Sequence, residues 1–510
     1  MPADRNVLLA SAVAATLAAG GAAAQDAPAS AIPWLTDLLA GRSPAPPVEP
    51  RADGIVDRPI AVSPIGALSR DALGLLAGRA SGLPADALRG SDPARLAELL
   101  DAAPVEGPAA MQDLVRRILL AEFEPPSASA KPGGLFIARI DALILRGALD
   151  PALALLEAAG QSDAATFERM ETAALLSGMD DELCRAVRAG DAPDASLSLR
   201  VFCLGRAGDW PAAALTLDLG RAIGAIDAAR GERLARFLDP ELFEDLLPPE
   251  PIRPMTPLDF RLLDGVGETP PTRDLPLAYA ASDLRPTMGW KRRIEAAERL
   301  FRAGALDTNH LLALYTEARA SASGGVWDRV AAVQALEAAL ESEGKEALGA
   351  ALPDAVGAME AAGLLPALAD LYGARVAERA AGCGGALERG ALRLALLAPD
   401  PAAASSLQAP GDDDRLRFAQ ALAAGTSVRP PVDDPLAAAV ASGFAPGGEP
   451  NRLDRMARDG RLAEALLQVA ASLADGARSD PVAVAEGLGF LRRAGLATLA
   501  RRAALELLLT

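Results

Sequence analysis

Histidine is almost absent from this chain of 510 residues: the only one is His310. No histidine pair exists to hold zinc. His310 lies in Asp307-Thr308-Asn309-His310-Leu311, just after a glycine turn. There it reads as a surface or capping residue at a helix start, not as a catalyst. The three cysteines are too far apart for a zinc ribbon. No Gly-x-Ser-x-Gly elbow is present, so a hydrolase nucleophile has no local support. Gly344-Lys345 lacks the glycine-rich loop and the following Ser or Thr of a phosphate cradle. Asp412-Asp413-Asp414 lacks calcium-loop spacing and reads as a solvated turn and helix cap. These absences lead to the expectation of no metal, no cofactor and no enzyme. Basic residues are outnumbered 50 to 68, a net charge of −18. That argues against nucleic acid and anionic lipid, both of which need clustered Lys and Arg. Aromatic residues are only 4% and runs of β-branched residues are few, so no sheet is expected.

What is present is alanine and leucine, within an apolar content of 51%. Alanine is the best helix former and lets helices approach closely. A helix–glycine–helix turn recurs: Leu145-Arg146-Gly147-Ala148-Leu149, Arg206-Ala207-Gly208-Asp209-Trp210 and Arg302-Ala303-Gly304-Ala305-Leu306. It returns around Gly363, Gly460 and Gly495. Glycine supplies the left-handed conformation that ends a helix, and the apolar residue that follows opens the next buried face. Asp-Pro pairs at residues 92, 150, 239, 400, 434 and 480 mark helix starts, with Asp as cap and Pro in the first turn. The pattern predicts an all-α chain, an α-solenoid of irregular helical hairpins. Trp210 and Trp290 stand at helix starts and are expected in the core or as staples.

The N-terminus reads as a secretory signal. Arg5 gives a charged start, residues 7–19 are apolar but too short to span a membrane, and Ala22-Ala23-Ala24 precedes a cut before Gln25. No later apolar stretch reaches the length of a membrane helix. Release into a periplasm-like space is the expected fate of the mature chain. An oxidising compartment suits a disulfide. Cys184 and Cys203 lie on two helical segments joined by a polar turn, and antiparallel packing would bring the sulfurs together. The alternative is two buried thiols. Cys383, in Gly382-Cys383-Gly384, would stay unpaired.

Five segments follow. Residues 1–24 are the signal. Residues 25–65 are a Pro-rich, disordered linker carrying one apolar motif at 32–39, in which Trp34 and Leu35 would either dock on a partner or fold back onto the chain's own helices. Residues 66–247 form an N-terminal helical-repeat half. Residues 248–286, broken by Pro248-Pro249 and Pro270-Pro271, form an elbow or alternatively a strap. A short helix is expected inside it, capped by Thr256, with Pro257 first and Asp259 at the capping-box position. Residues 287–510 form the C-terminal half.

Gly460 and Gly495 are 35 residues apart, near a tetratricopeptide period, whereas Gly147 to Gly208 is 61 and Gly304 to Gly363 is 59. Each longer interval is expected to hold nearly two units. The hairpins resemble tetratricopeptide repeats loosely, without the family's Trp-Leu-Gly-Tyr signature.

One loop stands out for interaction. Tyr315-Thr316-Glu317-Ala318-Arg319 leads to Ser323-Gly324-Gly325-Val326-Trp327-Asp328-Arg329. Tyr315, Arg319, Trp327 and Arg329 are residue types enriched at binding hot spots, with Gly324 and Gly325 giving freedom. The alternative reading is that Trp327 plugs the space between helices. This loop, together with Ile32-Pro33-Trp34-Leu35 and Phe237-Leu238-Asp239-Pro240-Glu241-Leu242-Phe243, resembles alanine-rich secreted bacterial proteins often labelled antifreeze-glycopeptide-like. The resemblance implies secretion and no established activity. Ice-binding helices need threonines at a fixed period, and none are seen. The expected function is protein–protein interaction or scaffolding in the cell envelope, with another envelope protein or peptide as partner. The alternatives are an envelope enzyme using unidentified carboxylates on glycan or lipid, and a passive structural protein.

Overall fold

Helices form wherever alanine and leucine recur between the glycine turns. The computed structural model describes residues 69–126, 133–160, 163–243, 252–320, 323–342, 344–426 and 429–510. Among these residues the secondary structure is helical, with one isolated bridge between Leu76 and Ala121 and no strand. The expected signal at 1–24, the expected linker at 25–65 and its Trp34–Leu35 motif lie outside the described residues.

The six recurring turns share one hydrogen-bond pattern. Gly147, Gly208, Gly304, Gly363, Gly460 and Gly495 all have φ between 67° and 84°. In each, the residue after the glycine donates back across the turn to the carbonyl five positions earlier: Ala148 to Leu143, Asp209 to Leu204, Ala305 to Leu300. Leu364 to Met359, Arg461 to Met456 and Leu496 to Leu491 complete the set. This left-handed stop satisfies the last carbonyls of one helix and aims the chain into the next. A side chain at Gly147 would meet more than strain, since its Cβ would lie 2.4 Å from Leu300 Cδ2.

Of the Asp-Pro starts, Asp92, Asp400, Asp434 and Asp480 cap with their side chains as expected. Asp150 instead lies inside the Leu149–Ala159 helix, and Asp239 precedes a short 3-10 turn. Asp413 caps the Asp414–Ala423 helix. The interval between Gly147 and Gly208 holds four helices, two full hairpins, while that between Gly304 and Gly363 holds three.

Sequence neighbours pack as pairs, such as Val326–Glu341 on Lys345–Ala361 and Leu365–Ala380 on Gly385–Leu397. The first described helices also pack on the last: Ala109–Leu120 lies against both Leu462–Ser472 and Ala497–Leu509. This seam is bonded through backbone. Gly90 N–H donates to Gly460 O at 3.0 Å, and Ala463 N–H donates to Ala87 O at 3.1 Å. Glu506 accepts from Ala110 N–H at 2.8 Å.

The Pro-rich stretch is described from residue 252. Thr256 caps Asp259 N–H and Pro257 opens the Pro257–Gly265 helix, as its sequence predicts. Leu258 and Leu262 are buried in one apolar cluster and Phe260 in another. Between them, charges are buried and matched, as burial requires. Asp259 accepts from Arg230 at 3.0 Å and Arg233 at 2.9 Å. Arg261 pairs with Asp180 and Asp264, and Asp264 also takes Arg285 at 2.8 Å. These ion pairs join the stretch to helices Asp180–Ala189 and Ala228–Leu238. The disulfide Cys184–Cys203 is formed, inside a core that includes Phe167, Phe202 and Leu234. Cys383 is free and half-buried.

Trp290 fits its expected packing, but Trp210 does not. Trp210 opens the Trp210–Ala222 helix yet is 50% exposed, with its ring near Gly205 of the helix before it. The buried face of this helix starts at Ala213, and Trp210 and Pro211 lie outside it.

Candidate functional site

The Trp290–Arg302 helix begins with Trp290-Lys291-Arg292-Arg293, a basic run in an acidic chain. Arg292, Glu295, Ala296 and Arg299 recur at helical spacing and so share a face. That face forms one wall of a groove of about 690 Å³. Thr269, Pro271, Thr272 and Arg273 line it as well, together with Asp283 and Trp327.

The groove's floor is fixed by a chain of polar contacts. Arg292 donates to Pro270 O at 2.7 Å and pairs with Asp283 at 2.6 Å. Thr272 donates its hydroxyl to the other Asp283 oxygen. Arg299 reaches Thr272 Oγ1 at 3.4 Å. Burial raises the Asp283 pKa despite its Thr272 and Arg292 partners. Burial also lowers that of Arg299, opposed by the Asp283 charge. Nearer solvent, Arg273 and Lys291 meet only exposed partners, Asp274 at 3.5 Å and Glu295 at 3.5 Å. Such pairs are weak and leave both cations available.

Trp290 donates its indole N–H to Leu314 O at 2.7 Å, which fixes the ring. Trp327 lies against it with ring centroids 5.0 Å apart and planes tilted by 53°. The two indoles form an aromatic shoulder to the groove, a geometry favoured over face-to-face stacking.

The loop singled out in the sequence divides. Gly324 and Gly325, at φ 95° and 61°, shape the approach to the Val326–Glu341 helix, with Asp328 accepting from Gly324 N–H at 2.9 Å. Trp327 lines the groove and also packs on the core, as the plug reading has it. Tyr315 and Arg329 go elsewhere. Both donate to Glu298, Tyr315 Oη at 2.6 Å and Arg329 at 2.9 and 2.6 Å. Tyr315 is 1% exposed, and burial with the Glu298 charge drives its pKa up. Burial works against the charge on Arg329, but Glu298 outweighs it and raises that pKa as well. The three form an ion-pair cluster in which Tyr315 and Glu298 are buried and Arg329 is half-buried, and none of them lines the groove. Arg319 is exposed and is not among the groove residues.

Sequence reading missed Arg273, Lys291, Arg292 and Arg299. The run Lys291-Arg292-Arg293 was the available signal. His310 is exposed, and its N–H is capped by Asp307 at 2.9 Å. Among the described residues no cluster of His, Cys, Asp or Glu is arranged to hold a metal ion, and no helix is long and apolar enough to cross a membrane. No family model matches the chain, and neither a curated protein nor a solved structure shows significant similarity to it.

Proposed function

We propose that this chain is an exported helical-repeat scaffold, and that the groove beside Trp290 and Trp327 holds an acidic segment of another envelope protein. The observation that carries the reading is local charge. Arg273, Lys291, Arg292 and Arg299 line one groove against only two carboxylates, Asp283 and Glu295, on a chain of net charge −18. Complementary charge speeds encounter and selects partners, and a rigid aromatic pair supplies apolar contact area. Six copies of one glycine turn support a stack of irregular tetratricopeptide-like hairpins, and the seam between the first and last described helices closes it rather than leaving an open solenoid of two halves. Export rests on the signal-like N-terminus, and the 25–65 linker with Trp34 and Leu35 would offer a second contact. The protein's work in this reading is holding a partner, with no turnover.

The test is titration of the full chain with a peptide carrying Glu and Phe, against its Gln-for-Glu counterpart, followed by indole fluorescence. The Glu peptide should bind at least tenfold tighter, and the double variant R273E/K291E should abolish that difference with helical content unchanged. Equal binding of the two peptides, or an unchanged preference in R273E/K291E, would remove the reading. Crosslinking from envelope extract, with and without residues 25–65, then identifies the natural partner.

A further inference from the structure

The Trp210–Ala222 helix is apolar on two opposite sides. Ala213, Leu217 and Gly220 face inward and are buried. The helix packs there on its neighbours in the chain, Leu197–Arg206 and Ala228–Leu238. On the outer side Leu215, Leu219 and Ile223 recur every four residues and so form one stripe. They are 72%, 53% and 63% exposed. Pro211, Ala212 and Ala222 fill the rest of that side, and the first charge, Asp218, stands at its edge.

A surface helix ordinarily turns a polar face to water, and a helix that is apolar all round is a buried one. The exposure is also concentrated. Among the described residues ten large apolar side chains are exposed, and four of them are Trp210 and the stripe. The other six are scattered, no two on one element. Single exposed apolar residues are ordinary, whereas a continuous stripe marks an interaction surface.

Three features identify what covers it. The stripe carries no charge, so the face that meets it is apolar too. Its large residues are spaced symmetrically, with Leu215 and Ile223 four positions to either side of Leu219. An antiparallel copy of the same helix therefore sets Leu219 against Leu219 and Leu215 against Ile223, with only Ala212, Thr216 and Ala222 beside them to limit the approach. The charges follow the same symmetry. Asp218 and Arg221 share one flank, and within the chain they make only a long pair at 3.9 Å. A two-fold axis keeps that flank of both helices on one side, so Asp218 of each copy comes beside Arg221 of the other.

We propose that the chain forms a two-fold homodimer through the Leu215–Leu219–Ile223 stripe. A face that complements itself in shape and in charge is what an isologous contact requires. The contact is one helix long, smaller than the interface of a permanent dimer, so association is reversible and in the micromolar range. The Trp groove stands on a different helix, Trp290–Arg302, and the dimer does not depend on it.

Sedimentation equilibrium of the full chain at about 1 to 100 μM tests the proposal. The wild type should pass from monomer to dimer across that range. L219E should weaken association at least tenfold with helical content unchanged. V432E, at an apolar residue 83% exposed in another part of the chain, should leave association as it is. Oxidative cross-linking in a C383S background, which removes the free thiol, reads the register. L219C should cross-link to itself, and L215C to I223C when the two chains are mixed, whereas L215C alone should not cross-link. A wild-type chain that stays monomeric throughout, association undiminished in L219E, an equal loss in V432E, or self-linking of L215C in preference to L219C would overturn it.

Discussion

Gly90 and Gly460 meet backbone to backbone: the Gly90 N–H donates to the Gly460 carbonyl at 3.0 Å and ties the first described helices to the last. There is no room for a side chain at the contact. A Cβ on Gly90 would lie 2.0 Å from Asp459 O, and one on Gly460 would lie 3.0 Å from Gly90 N. Gly460 also holds φ at 76°, a region costly for other residues. The alanine change at Gly90 must therefore separate the two segments. G90A is expected to lose roughly 2–3 kcal/mol of stability. Gly357 is the control. It is exposed within the Lys345–Ala361 helix, and a Cβ there meets nothing within 4 Å. G357A should gain about 0.5–1 kcal/mol. Urea unfolding of both variants checks the pair, and equal effects would mean the close approach is not real.

The same seam contains a carboxylate that is out of place at neutral pH. Glu506 is 1% exposed. Burial pushes its pKa up to about 7, resisted by Arg502 and the Ala110 N–H and reinforced by Asp113. A carboxyl whose folded pKa exceeds its unfolded value binds its proton more tightly in the folded state. Its contribution is fully present below the unfolded pKa, about 4.5, and is lost as pH rises through about 7. The loss is of order 3 kcal/mol at about 1.4 kcal/mol per unit. Melting temperature should fall between pH 5 and pH 8, and E506Q should flatten that fall. A residual slope of the same sign is expected from Glu171, which burial also raises to about 7. A wild-type chain more stable at pH 8 than at pH 5 would contradict the assignment.

Helix stops were legible in the sequence because they depend on one residue's backbone freedom. Gly147, Gly208 and the other four turn glycines are local statements, and so is the Thr256-Pro257 start. The seam was not legible, because Gly90 and Gly460 look like any other glycines until two distant backbones meet. The candidate site was half legible. Trp327 announced itself by rarity, but Tyr315 and Arg329 carried the same signal for a different reason: both serve buried Glu298. Arg299 gave no sign, because arginine is common in this chain and only its position beside Thr272 and Asp283 sets it apart. Composition reports which residues are unusual, not which side of a helix they occupy.

The Cys184–Cys203 bridge spans a sequence separation of 19 inside the Phe202 core. Closing such a loop restricts the unfolded chain and contributes about 3 kcal/mol in the chain-entropy model. Reduction should therefore lower the urea midpoint without changing helical content in the absence of denaturant. Mass spectrometry after alkylation should find one modified cysteine, Cys383, in the oxidised chain and three after reduction. An unchanged midpoint on full reduction would show that packing alone holds these helices.

Glu298 and Trp327 should separate stability from capture. Glu298 is 4% exposed and is the shared acceptor for Tyr315 and Arg329. Its truncation leaves a charged guanidinium and a hydroxyl without their partner. E298A should therefore destabilise by roughly 3–5 kcal/mol, and Y315F, which removes one hydrogen bond to a charged group, by roughly 1.5–3 kcal/mol. Trp327 is only half-buried and sits on the groove's shoulder. W327A should weaken binding of the Glu peptide at least tenfold while the chain remains folded, whereas Y315F should leave that binding intact in the folded fraction. If W327A instead unfolds the chain cooperatively and Y315F abolishes peptide binding, the indole belongs to the core and the Tyr315 cluster to the site, the reverse of the arrangement argued from the geometry.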